Sequence, residues 1–561
     1  MKVSQYLVKK LVEYKVTDVF GIPGGVILDF IYELDKDENI DVHLSYHEQA
    51  AAYAACGYAQ RSGRLGVAYA TKGPGVTNMM TAIAEAYYDS LPVLYITAHS
   101  QKALRRELRI EEEQEMDHVR LVRDITKYAK RIDAVGEVAE AVNAGCRAAV
   151  SGRKGPVLLD FSARILKSEI EFPGEHEGKP DSADHEAPDV CINNILTSLR
   201  ESARPVFLLG DGVRLSKTEE TIAKLSEKMD IPMLSSRFSQ DIVGGHENYF
   251  GYIGSHGLRY SNFILSKTDC IISFGNRMAF QTESESFKPI VEGAKIIRLD
   301  IDEQELQRDI PGSSGYRVDL KELIPELVQT AVPRKSFEWL RICHKLKDEL
   351  KDYDMNPAIM KLSCLIDMLN EDETLVCDIG NNELLVSRAY AVSGNGKNLM
   401  HSKAFKTVGS AIGKAIGAYY ASRKRVMCIA GDQGMQFNIQ ELQYISSNQL
   451  PIVIVICNNN ASEMLKDSER KQGYTYELHT TLNSGYSHPN FKKIADAYGI
   501  KYMAARPSAD GTIEMLDNEP QIIEIFLDGQ CGIQQHLPKG YPCQMFLPQI
   551  SKDLYSYLDN L

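Results

Sequence analysis

The sequence predicts an α/β protein with three doubly wound domains, each built on a parallel sheet. Short apolar runs typical of strands alternate with helical patterns along most of the 561 residues. Some of these runs, such as 452–457, are apolar without interruption, which is typical of strands buried on both faces of a parallel sheet. Glycines and polar residues follow several runs, and open α/β folds bind ligands at that end of their strands. The composition, 44% hydrophobic and 25% charged, is that of a globular protein.

The first domain is predicted over residues 1–166. Its strand-like runs are 19–22, 42–46, 65–70, 92–97 and 156–161. Residues 167–190 are polar, with prolines and glycines among acidic side chains, and this composition predicts an exposed linker.

Two further domains follow the linker. The second is predicted over 191–332, with strand-like runs at 205–209, 232–235, 270–274 and 295–302. A charged helical stretch predicts a connecting helix over 333–355, and the third domain is predicted over 356–561. The turn Gly210-Asp211-Gly212 in the second domain could hold a nucleotide phosphate, although a glycine-rich turn after a strand more often has no ligand-binding role.

Charge and targeting features exclude several classes of protein. The net charge of -13 argues against a general nucleic-acid binder, which needs a basic face. The eleven cysteines include no C-x-x-C pair, so we expect reduced and mostly buried thiols. The N-terminal residues lack the apolar core of a secretory signal, and no apolar run reaches the roughly twenty residues of a membrane helix. We therefore expect a cytoplasmic protein without nucleic-acid or membrane partners.

The most informative motif is Gly431-Asp432-Gln433-Gly434, which follows a strand-like run. A helical pattern and the run 452–457 come next, and a right-handed crossover should make the two strands neighbours. Asp432 and Asn459 would then lie side by side at one sheet edge. Mg²⁺ takes oxygen ligands and commonly takes only one or two from side chains when it binds a phosphate. A helix that begins directly after the motif would add backbone N–H groups for the phosphate oxygens.

The first domain contains a second candidate site. Glu48 stands where a strand-like run gives way to a helix rich in small residues, although a Glu at a helix start is commonly only a capping charge. The turn Gly73-Pro74-Gly75 follows the next strand-like run, so we expect it at the same sheet edge as Glu48. Two loops at one edge, with a metal and phosphate site on another domain, indicate a cofactor that spans both domains.

Taken in order over nearly the whole chain, these motifs resemble the thiamine diphosphate-dependent enzymes and, among them, the acetolactate synthase-like group. The resemblance rests on Phe20-Gly21-Ile22-Pro23-Gly24-Gly25, Glu48, Gly73-Pro74-Gly75-Val76-Thr77-Asn78, Asp89-Ser90-Leu91-Pro92-Val93, Gly155-Pro156-Val157, Gly254-Ser255-His256-Gly257, Thr407-Val408-Gly409 and the span from Gly431 to Asn460. It implies a pyrimidine-binding first domain, a central second domain and a diphosphate-binding third domain. It also implies an active site between the first domain of one subunit and the third domain of another. The smallest working assembly would then be a homodimer, and a homotetramer is also compatible with the resemblance.

The resemblance implies a set of site residues. Glu48 would hydrogen-bond N1′ of the aminopyrimidine ring, and we expect it in an apolar pocket where burial raises its pKa. Val408 would prop the cofactor in a bent conformation, and Gln114 matches an active-site side chain of the group. The implied metal ligands are Asp432, Asn459 and the backbone carbonyl of Ala461. The other implied cofactor contacts are Pro23, Gly24, Pro74, Asn78, Lys406, Gly431, Gln433, Gly434 and Met464.

Five positions depart from typical acetolactate synthases. Ala163, Ser468 and Glu113 stand where the group carries Lys, Trp and Phe. Lys406 replaces a Gly, and Gln433 replaces a small residue. Synthesis of branched-chain amino acids therefore does not follow, and we expect an acceptor pocket that is more polar than usual.

Several histidines are candidates for proton transfer, because only His titrates near neutral pH without perturbation. They are His47, His99, His118, His256 and His401. A structural role is commoner for each one singly. His47 adjoins Glu48 and His401 precedes the Val408 loop, so these two should be tested first.

The leading hypothesis is a carboligase that uses thiamine diphosphate and Mg²⁺. It would decarboxylate pyruvate or a related 2-oxo acid and add the product to an aldehyde or ketone. The alternatives are a simple 2-oxo acid decarboxylase and a flavin-dependent enzyme like pyruvate oxidase, since the segments 254–257 and 275–277 leave FAD open as a further cofactor. A degenerate regulatory protein would have lost Glu48 or Asp432. A nicotinamide dehydrogenase would carry a G-x-G-x-x-G motif at a helix start, which this chain does not show.

Overall fold

The computed structural model describes residues 1–100, 109, 112–171, 188–279, 285–332, 337–393, 396–506, 513–516, 518–527 and 532–561. These residues form three sheets of six strands each, and all the strand pairs between them are parallel. The predicted fold class, α/β with three doubly wound parallel sheets, is confirmed.

The first sheet has the strand order β2-β1-β3-β4-β6-β5. Its strands are β1 (Asp18–Gly21), β2 (Asp41–Leu44), β3 (Gly66–Ala70), β4 (Val93–His99), β5 (Tyr128–Ile132) and β6 (Val157–Ser162). The helices in this part of the chain are Val3–Glu13, Leu28–Asp35, Glu48–Ser62, Pro74–Tyr88, His118–Val122, Val135–Val150 and Ala163–Lys167, with a 3₁₀ turn at Arg123–Ile125.

The second sheet has the order β12-β11-β10-β7-β8-β9, which is the order 3-2-1-4-5-6 of dinucleotide-binding folds when counted from β9. Its strands are β7 (Pro205–Leu209), β8 (Met233–Ser236), β9 (Tyr249–Ile253), β10 (Cys270–Phe274), β11 (Lys295–Asp300) and β12 (Ser313–Arg317). The helices here are Pro188–Glu201, Asp211–Ser216, Glu219–Met229, Arg259–Ser266, Lys288–Gly293, Glu303–Leu306, Leu320–Thr330 and Phe337–Leu350, with 3₁₀ turns at Arg237–Ser239 and Glu285–Phe287.

The third sheet has the order β14-β13-β15-β16-β18-β17, which repeats the strand order of the first sheet. Its strands are β13 (Thr374–Cys377), β14 (Asn398–His401), β15 (Val426–Gly431), β16 (Ile452–Asn458), β17 (Lys501–Ala505) and β18 (Gln521–Phe526). The helices in this part of the chain are Pro357–Asp367, Asn381–Ser393, Ala411–Ser422, Leu442–Ser447, Glu463–Gln472, Phe491–Tyr498 and Lys552–Asp559, with 3₁₀ turns at Gly434–Gln436, Ile439–Glu441 and Leu482–Ser484.

The chain divides into two compact units. One joins Met1–Asp181, Asp372–Glu383 and Asn398–Asp528 and contains the first and third sheets, whereas the other joins Ser182–Glu371, Leu384–Lys397 and Gly529–Leu561 and contains the second sheet. In the second unit, the helix Phe337–Leu350 buries Trp339 and Leu346 in the core around the second sheet. The predicted domain boundaries stay predictions, and most of the predicted linker lies outside the described residues.

Two helices in the first unit approach each other closely because small residues line their contact. A Cβ on Gly57 would overlap the backbone of Lys414, and a Cβ on Gly417 would overlap the carbonyl of Ala54. Glycine at both positions therefore lets the helices Glu48–Ser62 and Ala411–Ser422 pack backbone to backbone. This packing places Glu48, at the start of the first of these helices, in a set position relative to the third sheet.

The described residues include ten of the eleven cysteines, and all ten are free thiols. Nine of the ten are buried, which agrees with the prediction of mostly buried thiols, and Cys364 is exposed. Among the helices of the described residues, none combines the length and the apolar character that crossing a bilayer requires.

Candidate functional site

The third sheet brings the two halves of the Gly-Asp and Asn motif together. β15 and β16 are parallel neighbours, with Gly431 opposite Cys457 in register. Asp432 follows β15 directly and Asn459 follows β16 directly. Because parallel strands end at the same sheet edge, both residues lie at that edge, as the sequence predicts.

The helix after this motif begins later than the sequence pattern predicts. Gly434–Gln436 and Ile439–Glu441 are 3₁₀ turns, and the α-helix starts only at Leu442. The prediction of a helix that opens directly after the motif was therefore wrong. Apolar side chains three or four positions apart suit both kinds of helix, so their spacing does not separate an α-helix from successive 3₁₀ turns.

Asp432 has the features of a cation ligand. Its side chain is 2% exposed, and its Oδ2 has no hydrogen-bond partner among the described residues. Burial raises the pKa of its carboxyl to about 6, an effect that the Tyr486 hydroxyl and His488 partly offset. A buried carboxylate oxygen without a partner is costly, and a bound cation would remove that cost.

The neighbouring oxygens fit a magnesium ion. The Oδ1 atom of Asn459 faces its own turn, where it accepts a hydrogen bond from the N–H of Ala461 at 3.2 Å. The carbonyl of Ala461 and the amide of Asn459 would be neutral oxygen ligands for a cation bound by the carboxylate of Asp432. Mg²⁺ prefers an all-oxygen set with few side-chain ligands. The donor set of this loop therefore suits the cation that the sequence predicts.

The loops after β15 and β16 are joined by a side-chain bridge. The Oγ of Ser462 donates a hydrogen bond to Oε1 of Gln433 at 2.9 Å. Gln433 thus has a structural role, because its side chain links the two loops. Met464 lies in the first turn of the next helix and is partly exposed, at 40%. Ser468 lies one turn further on and donates to the carbonyl of Met464 at 3.1 Å.

Asp378 lies beneath the glycine turns of the site, and the sequence analysis missed it. Both of its carboxylate oxygens accept the N–H of Gly409 at 2.9 Å, and a Cβ on Gly434 would overlap Oδ2. Burial raises the pKa of Asp378 to about 7. Asp378 follows β13 as Asp432 follows β15, so an acidic residue directly after a buried strand was the signal that could have found it.

Val408 lies next to the Gly-Asp motif. A Cβ on Gly434 would lie 3.6 Å from Cγ1 of Val408, and the Val408 side chain is 38% exposed. Gly409 has a φ of +83°, and a Cβ there would overlap Phe437. Lys406 is exposed and also has a positive φ, +57°. The loop thus presents an apolar side chain to the open side of the site.

A buried network anchors this loop. Thr407 donates its hydroxyl hydrogen to the Glu85 carboxylate, which also pairs with Lys414. Burial disfavours the charge on Lys414, but the nearby acidic groups, chiefly Glu85 and then Asp89, together outweigh burial and raise the pKa of the Lys414 ammonium. Lys414 also donates to the carbonyl of His401 at 3.4 Å. The network ties the helix Pro74–Tyr88 to the segment that leads to Val408.

The first sheet places Glu48 against the Gly-Pro-Gly turn. Asn78 donates a hydrogen bond from Nδ2 to Oε2 of Glu48 at 2.9 Å, and a Cβ on Gly75 would lie 3.6 Å from Oε1. The predicted meeting of Glu48 and the turn at one edge is therefore observed. The predicted enclosed apolar pocket is not, because the described residues of the chain leave the Glu48 side chain half-buried. β2, which leads to Glu48, is an edge strand, and two of its four residues are exposed.

Other predicted residues lie around the same edge. Pro23 and Gly24 follow β1, and a Cβ on Gly24 would overlap the Thr71 side chain. Gln114 is exposed, has a φ of +59°, and places its carbonyl where a Cβ on Gly73 would stand. Pro74 is the first residue of its helix, where its missing N–H has no cost.

His47 has a capping role in the structure. It precedes the helix Glu48–Ser62, and its Nδ1 accepts a hydrogen bond from the N–H of Gln49 at 3.1 Å. His401 ends β14, is buried, and offers its carbonyl to Lys414 and to Gln60. The contacts described here for both histidines are structural ones.

Two clusters of site residues result. The Glu48 cluster comprises Pro23, Gly24, Glu48, Pro74, Asn78 and Gln114. The Asp432 cluster comprises Val408, Gly431, Asp432, Gln433, Gly434, Asn459, Ala461 and Met464. One cluster offers a carboxylate at a turn of small residues, and the other offers oxygen ligands for a cation beside glycine turns suited to a phosphate group.

Three parallel sheets with these two clusters define a thiamine diphosphate (thiamine pyrophosphate) enzyme, and comparison with known proteins agrees. The sequence model of the N-terminal TPP binding domain of thiamine pyrophosphate enzymes matches residues 1–121, that of the central domain matches 192–327, and that of the C-terminal TPP binding domain matches 378–521. The chain belongs to this family, and within it to the acetolactate synthase-like group. It is therefore a thiamine diphosphate-dependent enzyme that couples decarboxylation to carbon–carbon bond formation.

Three relatives illustrate the similarity. The chain is 30% identical over 559 residues to the acetolactate synthase large subunit of Lactococcus lactis, with 96% of this chain and 94% of the relative covered. It is also 30% identical over 574 residues to the probable acetolactate synthase large subunit of Methanocaldococcus jannaschii, with the same coverage of 96% and 94%. It is 27% identical over 566 residues to the acetolactate synthase isozyme 2 large subunit of Escherichia coli, which covers 98% of this chain and all of the relative.

Proposed function

We propose that this enzyme uses thiamine diphosphate with Mg²⁺ to decarboxylate pyruvate and to add the two-carbon unit to an aldehyde or ketone. The main observation in support of a bound Mg²⁺ is the buried Asp432 carboxylate, whose Oδ2 has no hydrogen-bond partner among the described residues. The names of the relatives, all acetolactate synthases, support a 2-oxo acid donor and a carbonyl acceptor.

The Asp432 cluster would hold the diphosphate end of the cofactor. Asp432, Asn459 and the Ala461 carbonyl would bind the cation, and the cation would bind the phosphate oxygens. Gly434 has no side chain, so a phosphate group could approach its backbone closely. Asp378 requires glycine there, because a Cβ on Gly434 would overlap its Oδ2. Bound thiamine diphosphate supplies the reactive ring carbon and accepts the electron pair that carbon dioxide leaves behind.

The Glu48 cluster would hold the pyrimidine end. Glu48 would share a proton with N1′ of the aminopyrimidine ring, with Asn78 fixing the orientation of its carboxylate. Val408 would support the bend between the two rings, which sets the distance over which a proton must move. Gln114 would face substrate beside the Gly73 turn, and Pro23 and Gly24 would line the same edge.

The acceptor side of the site is proposed to be polar. Ser468 stands where the related enzymes carry Trp, and its helix also contributes Met464. Lys406 and Gln433 add polar side chains near Val408 and Asp432. A larger or more hydroxylated acceptor than that of branched-chain amino acid synthesis suits such a pocket.

A homodimer, with a homotetramer as the larger alternative, is proposed as the working assembly. The half-buried Glu48 side chain supports it, because a second subunit would complete the enclosure that the described residues of one chain leave open. Analytical ultracentrifugation with and without cofactor tests the assembly.

Flavin binding stays a separate prediction. In the second sheet, a Cβ on Gly212 would lie 2.6 Å from Cα of Gly275, so the loops after β7 and β10 lie against each other at the point where the strand order reverses. The N–H of Gly212 already donates to the carbonyl of Gly275 at 3.2 Å. The visible absorption spectrum of the purified protein tests whether FAD is bound.

The test of the function is incubation of the enzyme with thiamine diphosphate, Mg²⁺ and pyruvate, alone and with a panel of aldehydes and ketones. Carbon dioxide release and mass spectrometry of the products are measured together. A carboligase forms a ligated product in which the two-carbon unit is retained. Release of acetaldehyde alone with every acceptor would favour a simple decarboxylase, and acetate formed with uptake of oxygen would favour an oxidase.

The role of Glu48 has its own test. Glu48→Gln should abolish exchange of the thiazolium C2 proton while cofactor binding stays mostly intact, because Gln can still accept the hydrogen bond of Asn78 but cannot share a proton with N1′. Exchange is followed by proton NMR of the bound cofactor in deuterated water. An unchanged exchange rate in the variant would refute the role assigned to Glu48.

A further inference from the structure

A buried array of two histidines and a carboxylate lies behind the Gly-Pro-Gly turn. Nδ1 of His99 is 2.9 Å from Oδ1 of Asp160, and Nδ1 of His118 is 3.0 Å from Oδ2 of the same carboxylate. All three side chains are fully buried. His99 ends β4 and Asp160 lies in its neighbour β6, so the first sheet itself holds the array together.

The second nitrogen of His118 reaches the turn. The backbone N–H of Gly73 donates a hydrogen bond to Nε2 of His118 at 2.9 Å. An N–H can only donate, so Nε2 must be the unprotonated nitrogen of this ring and Nδ1 must carry the proton that Asp160 accepts. Asp160 therefore selects the His118 tautomer that can bind Gly73.

The contacts of this array favour the charged forms of His99 and Asp160. Burial disfavours the cation of His99, but hydrogen bonds with Asp160 and Asp133 outweigh burial and raise the pKa of the ring. Burial likewise opposes ionisation of Asp160, but its bonds with His118 and His99 lower the pKa of its carboxyl. An ionised Asp160 holds the N–H of His118 more firmly than a neutral group would.

From Gly73 the contact continues to Glu48. Gly73 precedes the helix Pro74–Tyr88 and has a φ of +63° and a ψ of -110°. Asn78, on the first turns of that helix, donates to the Glu48 carboxylate at 2.9 Å, and Gly75 adjoins the same carboxylate. A shift of the Gly73 peptide would therefore move the hydrogen-bond donor of Glu48.

We propose that His118 is a positioning residue that holds the Gly73 peptide, and through it the Asn78 and Glu48 pair, in the geometry that receives the cofactor. The consequence for the cofactor rests on the function proposed above, whereas the contact between His118 and Gly73 stands on the structure of the chain. Asp160 and His99 act behind His118 by holding its tautomer and ring orientation.

Two variants at one position separate the two bonds of His118. Gln has an amide group that reaches about as far as Nε2 of His, so His118→Gln keeps an acceptor for Gly73 and loses the bond to Asp160. Asn reaches only about as far as Nδ1, so His118→Asn keeps a partner for Asp160 and loses the acceptor. The protein without cofactor is examined first, by amide hydrogen exchange of a peptide spanning the turn. Pro74, the next residue, has no backbone N–H, so it contributes no exchanging hydrogen that could be confused with that of Gly73.

We expect His118→Asn to speed exchange at Gly73 by about five- to tenfold, the effect of losing one hydrogen bond, and to weaken thiamine diphosphate binding in the presence of Mg²⁺ by a similar factor. His118→Gln should leave both quantities within about twofold of the starting protein. Binding is measured by titration calorimetry, and the midpoint of urea unfolding shows whether each variant is folded.

Equal exchange at Gly73 in the starting protein and in folded His118→Asn would overturn the proposal, as would faster exchange in His118→Gln. Faster exchange without weaker cofactor binding in His118→Asn would overturn the link to the site. If His118→Asn does not fold, His118→Gln alone still tests the proposal. The proposal requires that the Gly73 N–H of His118→Gln exchange as slowly as in the starting protein. Failure of the unaltered protein to bind thiamine diphosphate would refute the cofactor assignment and leave the exchange result to be judged by itself.

Discussion

Glu441 accepts a hydrogen bond from the backbone N–H of Tyr46 at 3.0 Å, although 395 positions separate them in the sequence. Glu441 ends the second 3₁₀ turn after the Gly-Asp motif, and Tyr46 lies two residues before Glu48. In the same region, Asn438 donates to the Gln49 side chain at 3.3 Å. The segment after the Asp432 motif is thus attached directly to the segment that presents Glu48.

Glu441→Gln should flatten the pH dependence of stability. Burial raises the pKa of the Glu441 carboxyl from 4.5 to about 7, so between these values the folded protein holds a proton that the unfolded chain has released. The stability that protonated Glu441 contributes to the folded protein is fully present below the pKa of Glu441 in the unfolded chain. It is lost as the pH rises through about 7, which lowers the free energy of unfolding by up to about 3 kcal/mol. Urea unfolding at about pH 5 and about pH 8 measures the loss, which should be larger in the starting protein than in the Gln variant.

The exposed Glu349 supplies the control for this experiment. It lies on the helix Phe337–Leu350, and Glu349→Gln should keep the pH dependence of the starting protein. A Glu441→Gln variant whose midpoints follow the same pH dependence as Glu349→Gln would show that Glu441 is not protonated in the folded state near neutral pH.

Gly434→Ala should damage the Asp432 cluster. The added Cβ would overlap Oδ2 of Asp378, a buried carboxylate that cannot move without losing the N–H of Gly409. We expect a loss of about 1–3 kcal/mol in the free energy of unfolding, measured by urea unfolding, together with weaker cofactor binding by calorimetry.

Gly136→Ala is the matched control, because it makes the same chemical change at an exposed position of the helix Val135–Val150, where a Cβ meets nothing within 4 Å. It should stabilise the protein by about 0.5–1 kcal/mol, since Ala favours a helix more than Gly does. Similar unfolding midpoints for Gly434→Ala and Gly136→Ala would contradict the close approach of Asp378.

Lys414→Met should be strongly destabilising. The substitution leaves the Glu85 carboxylate buried with no cationic partner, which costs about 3–5 kcal/mol when a buried pair is broken. The double variant Glu85→Gln with Lys414→Met should be more stable than Lys414→Met alone, because Gln is neutral and still accepts the Thr407 hydroxyl. Urea midpoints of the single and double variants test this, and equal midpoints would argue against a charged Glu85.

Removal of Mg²⁺ should weaken cofactor binding through Asp432. In titration calorimetry, the starting protein should bind thiamine diphosphate at least about tenfold more tightly with Mg²⁺ than with a chelator, since a cation held by Asp432 would attract the phosphate groups. Asp432→Asn should lose most of this difference. Asp496→Asn, at an exposed position of the helix Phe491–Tyr498, should retain it. A full response to Mg²⁺ in Asp432→Asn would remove Asp432 from the metal site.

Local patterns in the sequence predicted the strands and the residues that follow them. The run that became β16 is apolar throughout, and the polar residues after it had to emerge at the end of the strand, so Asn459 could be placed at the same sheet edge as Asp432 from sequence alone. The same reasoning placed Glu48 beside the turn that contains Gly75. It did not distinguish 3₁₀ turns from an α-helix after Gly434, because both suit the same apolar spacing.

The sequence by itself determined the parallel α/β class, the family and the two strand-end clusters, because strand burial and the position of a polar residue after a strand depend on neighbouring residues. Only the tertiary structure decided that Asp378 lies under Gly434, that Lys414 neutralises Glu85, and that Asp160 sets the tautomer of His118. These contacts join residues far apart in the chain. Sheet order and helix packing bring them together, and no local pattern encodes which buried charge will find which partner.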